Sequence, residues 1–181
     1  NPVRDKEVID TELQLKDLDS VDKKIPKLEK LLKQADRDVL NGYEILKNLK
    51  AHLEQGKNAR SFAVSPEDRV KHIDDMFLLT MKPVLYVCNV DEKSVVKGNL
   101  HTQALMDSVK GENAEILFVS AAIESEIAVM ESFEDRQMFL EDLGLKESGV
   151  VRLIKSTYHL LNLITYFTAG VQEVRAWTIH R

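Results

Sequence analysis

A single cysteine, Cys88, is all the thiol in the sequence. That excludes an internal disulfide and suits a reducing, cytoplasmic compartment. No apolar run approaches the ~18–20 residues that span a bilayer, and no basic segment followed by an apolar one opens the chain. Net charge is −5, so no overall basic excess points to nucleic acid or an acidic membrane surface. The five histidines, His52, His72, His101, His159 and His180, are scattered. They have no metal-ligand spacing among themselves or with Cys88. Also absent are a Gly-x-x-x-x-Gly-Lys-Ser/Thr loop and an Asp-x-x-Gly motif. The chain therefore carries no cradle of amides and lysine for phosphates, and no hydroxyl from such a loop to hold Mg²⁺.

What is present is ample for a packed structure. The 181 residues are 44% hydrophobic and 30% charged, with both signs interspersed. This length fits one compact domain or two small ones. The chain starts at Asn1-Pro2 rather than Met and stops at Arg181, just after a strand-like run, so both ends read as cut.

The first third is helical by its spacing. Leu18, Val21, Ile25, Leu28 and Leu32 recur at intervals of three and four, predicting a long helix from Thr11 to Gln34. Pro26 lies inside it, removes a backbone donor and is expected to bend it. Gln34-Ala35-Asp36 forms a short break with Asp36 as an N-cap. A second stripe then runs through Val39, Tyr43, Leu46, Leu49 and Leu53 until Gly56. So short a connection predicts an antiparallel hairpin, a protrusion with solvated outer faces rather than a catalytic unit.

From Ser65 the pattern changes. Ser65-Pro66-Glu67-Asp68 combines a cap, an early Pro and acids near the positive end of the dipole, predicting a helix that runs to about Thr80. Pro83 to Cys88 and Ile116 to Val119 are apolar runs of the kind found in strands buried on both faces. Helices are expected around 105–109, 123–130, 135–143 and 149–161. Strands alternating with helices imply an α/β fold with a parallel sheet. The end, Leu163 to Thr168 and Glu173 to Ile179 around Ala169-Gly170, reads as a β-hairpin opening a separate small domain, in which Trp177 packs.

In open α/β sheets, ligands bind at the carboxyl ends of strands. The first buried strand delivers Asn89-Val90-Asp91-Glu92 there and the second Ser120-Ala121-Ala122. An Asn amide offers a base both a donor and an acceptor. A carboxylate after it can accept a ring or exocyclic N–H. The rest of the titratable inventory has plainer explanations. His72 beside Asp74 and Asp75, Glu124 with Glu126, and Glu131 with Glu134 read as solvated helix faces. Cys88 reads as core packing, with redox sensing as the alternative.

The two strand ends resemble the fourth and fifth motifs of P-loop GTPases, Asn-Lys-x-Asp and Ser-Ala-Lys, with Val90 in place of the Lys and Glu92 in place of the Asp. The Asn-x-x-Glu form resembles the YchF-type Obg-like ATPases. So do Glu7 to Leu13, Lys82-Pro83, Ala121-Ala122-Ile123-Glu124, Phe139 to Leu145, and above all Leu161 to Gly170 continuing through Ile179. The resemblance covers essentially the whole chain. It implies an ATP site in which Asn89 contacts the adenine ring and the Val90 backbone accepts from the exocyclic amine. It further implies that Glu92 disfavours guanine and that Ser120 and Ala121 close the pocket through backbone groups. On this reading 1–20 and 67–161 form one interrupted nucleotide-binding domain and 21–66 an inserted helical coiled coil. Residues 162–181 then begin a β-grasp (TGS) domain. Mg²⁺ ligands are expected outside the chain, contact with the ribosome or RNA is implied, and no membrane partner is. Without the phosphate-binding loop, the chain alone is not expected to hydrolyse ATP. Two function classes stand: a translation-associated ATPase, or an interaction module with an incomplete nucleotide site.

Overall fold

The structure, a computed structural model, describes residues 1–32, 36–112 and 114–181. Gln34 and Ala35, where the helical break was expected, lie outside the described residues. Two compact units result, Asn1–Pro83 and Val84–Arg181.

In the first unit α1 spans Pro2–Leu31. It begins nine residues before the apolar stripe predicts (11 − 2 = 9), because Asn1 caps it by accepting the Val3 N–H at 3.1 Å and Pro2 presets its first turn. Its exposed Val8 and Ile9 add nothing to the stripe, which is why periodicity missed this stretch. The helix continues through Pro26. Helix α2, Arg37–Glu54, is capped by Asp36, which accepts the Asp38 N–H at 2.9 Å. Gly56 closes it with φ +71°, a left-handed conformation that costs glycine little.

Cross-links fix the direction of the pair. Tyr43 donates to Glu29 at 2.9 Å, Lys50 meets Asp22 at 2.6 Å, and Gln14 donates to Gly56 O at 3.1 Å. Partner numbers rise along α2 as they fall along α1, so the helices are antiparallel. Val21, Leu46, Leu49 and Leu53 form the seam.

The hairpin is not bare. Residues 59–81 lie along it as a third layer and put Ala59, Ile73 and Leu78 into the same core. This layer contains α3, Pro66–His72, flanked by single 3₁₀ turns. Helix α3 stops well short of Thr80. Asp17, 1% exposed, accepts the Leu79 N–H at 2.6 Å, the Thr80 N–H at 2.7 Å and the Thr80 hydroxyl at 2.7 Å. These two amides are committed to a carboxylate on another element, so residues 79 and 80 are not available to a helix running to Thr80. The chain turns instead through Phe77 at φ 50°. The Thr80 oxygen also accepts the Ala59 N–H at 2.8 Å, so one buried node ties three segments.

His72, expected on a solvated face, is 7% exposed. Its Nε2 has no hydrogen-bond partner among the described residues and lies 3.7 Å from Asp38, while Asp74 and Asp75 pair elsewhere, with Arg69 and Lys24. The imidazole occupies the space that Gly42 leaves open, since a Cβ there would stand 2.7 Å from Nδ1. Gly42→Ala gains about 1 kcal/mol of helix propensity but loses about 1–3 kcal/mol to overpacking. A lower urea midpoint is the expected outcome; a raised one would show that the ring moves freely.

In the second unit β1, Leu85–Asn89, pairs in parallel with β2, Glu115–Val119, from Leu85↔Glu115 to Asn89↔Val119. Helix α4, Leu100–Ser108, makes the crossover. Full burial of β1 is not observed: Val87 is 47% exposed. In a sheet of two strands each strand is an edge, and alternate side chains face away from the covering helix. That helix is α7, Gly149–Leu160, which packs on both strands and follows α5, Ala121–Val129, and α6, Phe133–Asp142. The chain ends in an antiparallel hairpin, β3 (Leu163–Ala169) with β4 (Val174–His180). Trp177 stands opposite Tyr166 there and donates to the Thr168 hydroxyl at 2.9 Å.

Candidate nucleotide-base site

The carboxyl ends of β1 and β2 lie side by side because the strands are parallel and in register to their last pair, Asn89↔Val119. The Val90 N–H donates to Val119 O at 2.9 Å, carrying the ladder one step beyond the strands. There the chains diverge into two short segments, residues 90–94 and 120–122. Between them is an open recess of ≈ 890 Å³. Asn89, Val90, Glu92, Ser120 and Ala121 all line it, and so do Lys93 and Ala122.

Bond geometry assigns the polar groups. Asn89 Oδ1 accepts the Ala121 N–H at 3.1 Å. The atom facing a backbone donor must be the amide oxygen, which leaves the NH₂ of Asn89 as a donor with no partner among the described residues. The ladder uses the N–H of Val90 and not its carbonyl. Asp91 is occupied: its carboxylate accepts the Ser94 N–H at 2.9 Å and caps the 3₁₀ turn Glu92–Ser94. Glu92 and Lys93 are exposed at the recess, one of each charge. Ser120 is 2% exposed and its hydroxyl has no partner among the described residues.

The backbone of Ala121 is thus engaged with Asn89, which differs from its expected direct use toward a base. The two segments are locked to each other, and the recess is lined by the amide of Asn89, the backbone of Val90 and the carboxylate of Glu92. Such a set suits a heterocycle that carries ring acceptors and an exocyclic amine.

Glu124, expected on a solvated acidic face, lies beside this site and is bonded. Its two carboxylate oxygens accept the Gly149 N–H at 2.6 Å and the Val150 N–H at 3.2 Å, at the start of α7. No sequence spacing signals that pairing across twenty-five positions. Cys88, next to Asn89, is half-buried, and burial pushes its thiol pKa up, which opposes the thiolate character of a reactive cysteine. Among the described residues no cluster of His, Cys, Asp and Glu is arranged to hold a metal ion, and no helix is long and apolar enough to cross a membrane.

Comparison with known proteins fits this geometry. No family model matches the chain. The ribosome-binding ATPase YchF of Bacillus subtilis (strain 168) is 48% identical over 183 residues, taking in 100% of this chain and 50% of the relative. The protein of the same name from Escherichia coli O157:H7 is 39% identical over 179 residues, covering 99% of this chain and 48% of the relative. The chain belongs to the YchF-type family. A solved YchF GTPase from Schizosaccharomyces pombe superposes with a TM-score of 0.85 at 28% identity, over 99% of this chain and 49% of that one. The α/β architecture is therefore that of YchF-type P-loop proteins. The chain spans about half the length of the relatives it matches.

Proposed function

We propose that this chain carries the base-reading half of an adenine-nucleotide site in a YchF-type, ribosome-associated ATPase. The observation that carries the reading is the Asn89–Ala121 bond, which holds the amide oxygen of Asn89 and, in this reading, turns its NH₂ toward the recess that Asn89 lines. A purine N7 is an acceptor in adenine and guanine alike, so Asn89 serves binding rather than choice. Choice falls to the next residues. The Val90 carbonyl accepts from an exocyclic amine, which adenine has where guanine has an oxygen. Glu92, one methylene longer than the Asp of guanine-specific relatives, does not meet the paired N–H groups of guanine in the same geometry.

In this reading Ser120 and Ala121 close the far wall. Triphosphate and Mg²⁺ are held by residues outside the chain, and ATP hydrolysis needs them. Charge-assisted bonds to phosphates supply much of nucleotide affinity, so base contacts alone bind weakly. We assign 1–20 and 67–161 to the nucleotide-binding domain, with 21–66 inserted and 162–181 opening a β-grasp module. The first junction falls within α1, so one helix serves both parts. Helical hairpin and β-hairpin are then the surfaces for the ribosome.

Calorimetric titration of the natural full-length protein with ATP and GTP tests this. ATP is expected to bind and GTP to bind at least tenfold more weakly, with Glu92→Asp narrowing the gap. A GTP preference in the unaltered protein would overturn the assignment of Glu92.

A further inference from the structure

We infer that Glu124 is a positioning residue for the base site, acting through α5 on the Ala121–Asn89 bond; the inference rests on the nucleotide reading above. Glu124 is anchored twice. Its backbone N–H donates to Ser120 O at 3.0 Å, closing the first turn of α5, and its carboxylate accepts the Gly149 and Val150 N–H groups at 2.6 and 3.2 Å. One residue thus grips the wall of the recess with its main chain and the start of α7 with its side chain.

Helix α7 does not need that carboxylate merely to be capped. Ser148 already accepts the Val151 N–H at 3.3 Å in the ordinary local manner. The remote cap adds two charge-assisted bonds at the positive end of a helix dipole, and these tie α7 to the base segment. Gly149 permits the approach: a Cβ there would stand 2.8 Å from Val119 Cγ1 and 2.9 Å from Glu124 Oε1. At its other half α7 is held to the start of β2, where Ser156 donates to Glu115 at 2.7 Å. The helix is therefore fixed to the sheet independently of Glu124, and Glu124 refers the first turn of α5 to that fixed helix.

That turn is where the site is decided. It begins with Ser120, buried with a hydroxyl that has no partner among the described residues, and Ala121, whose N–H fixes the Asn89 amide. If the turn moves, the Ala121 N–H leaves Asn89 Oδ1 and the amide is free to flip. Its oxygen then faces the acceptor it is meant to bond. The effect is specific to the base and leaves phosphate contacts alone.

The test uses the natural full-length protein, titrated with Mg·ATP and with Mg·tripolyphosphate, which has no base. Glu124→Ala is expected to weaken ATP about tenfold while leaving tripolyphosphate within twofold. Glu124→Gln keeps one strong acceptor and the side-chain shape. It is expected to lose about threefold for ATP alone, and it carries the test if the alanine variant does not fold. Equal losses for both ligands, or ATP affinity unchanged in the folded variants, would overturn the proposal. Asn89→Ala run in parallel separates the causes. If it leaves ATP binding intact, the base-site reading itself has failed; if it weakens ATP while the Glu124 variants do not, only the positioning role has.

Discussion

Asp17→Ala is expected to lower the unfolding free energy of the first unit by about 3–5 kcal/mol, measured by urea denaturation followed by circular dichroism. The side chain contributes little apolar area, so the loss comes from the groups it leaves behind. The Thr80 N–H and the Thr80 hydroxyl would lose their acceptor in a buried place, and the Leu79 N–H would lose it in a partly buried one. A stranded buried donor costs about 1–3 kcal/mol, and charge-assisted bonds lie at the upper end. Relaxation of the 79–81 turn toward solvent recovers part of it, so the three costs do not add in full. Against a typical domain stability of about 5–15 kcal/mol the loss is large. Asp17→Asn is no rescue, because its NH₂ would face donors. A change below 1 kcal/mol for Asp17→Ala would show that the third layer is held by its apolar contacts alone.

Asn89→Asp should weaken ATP binding to the natural full-length protein about thirtyfold, or about 2 kcal/mol. The substitution is isosteric and keeps an oxygen for the Ala121 N–H, so the fold should tolerate it. What it removes is the NH₂ donor that the proposed site directs at the base. What it adds is a negative charge among Asp91 and Glu92, opposite a ring nitrogen that is itself an acceptor. A lost bond and a new repulsion act together, where Asn89→Ala loses that bond and the Ala121 contact but adds no repulsion. Calorimetry should therefore rank wild type above alanine and alanine above aspartate. If aspartate binds as well as asparagine, the amide does not face the base.

Signals that act within a few residues were legible in the sequence. Asp36 and Ser65 cap the helices they were expected to cap, Gly56 ends α2, and both parallel strands lie within two residues of their apolar runs. The placement of Asn89, Val90, Glu92, Ser120 and Ala121 around one recess followed from those strands. What was not legible depends on partners far along the chain. Asp17 claims the Leu79 amide from sixty-two positions away, Gly42 admits His72 into the core, and Glu124 leaves its apparent acidic face to cap α7. A charged residue on a helix looks the same in sequence whether water or a distant backbone amide is its partner. The early start of α1 is a different failure: the Asn1-Pro2 cap was there to be read, but the stripe that defines a helix begins later.

The Asp17 node also bears on how the first unit is assembled. Joining Asp17 to Leu79 in an open chain closes a loop of sixty-two positions, an entropy cost on the order of 3–4 kcal/mol. Once α1 and α2 have paired, Gln14 already holds Gly56, and only the twenty-three positions from 56 to 79 (79 − 56 = 23) remain to be closed. The helical hairpin is thus a shortcut through the chain's own contour, worth roughly 1 kcal/mol of closure entropy to the strap that locks it.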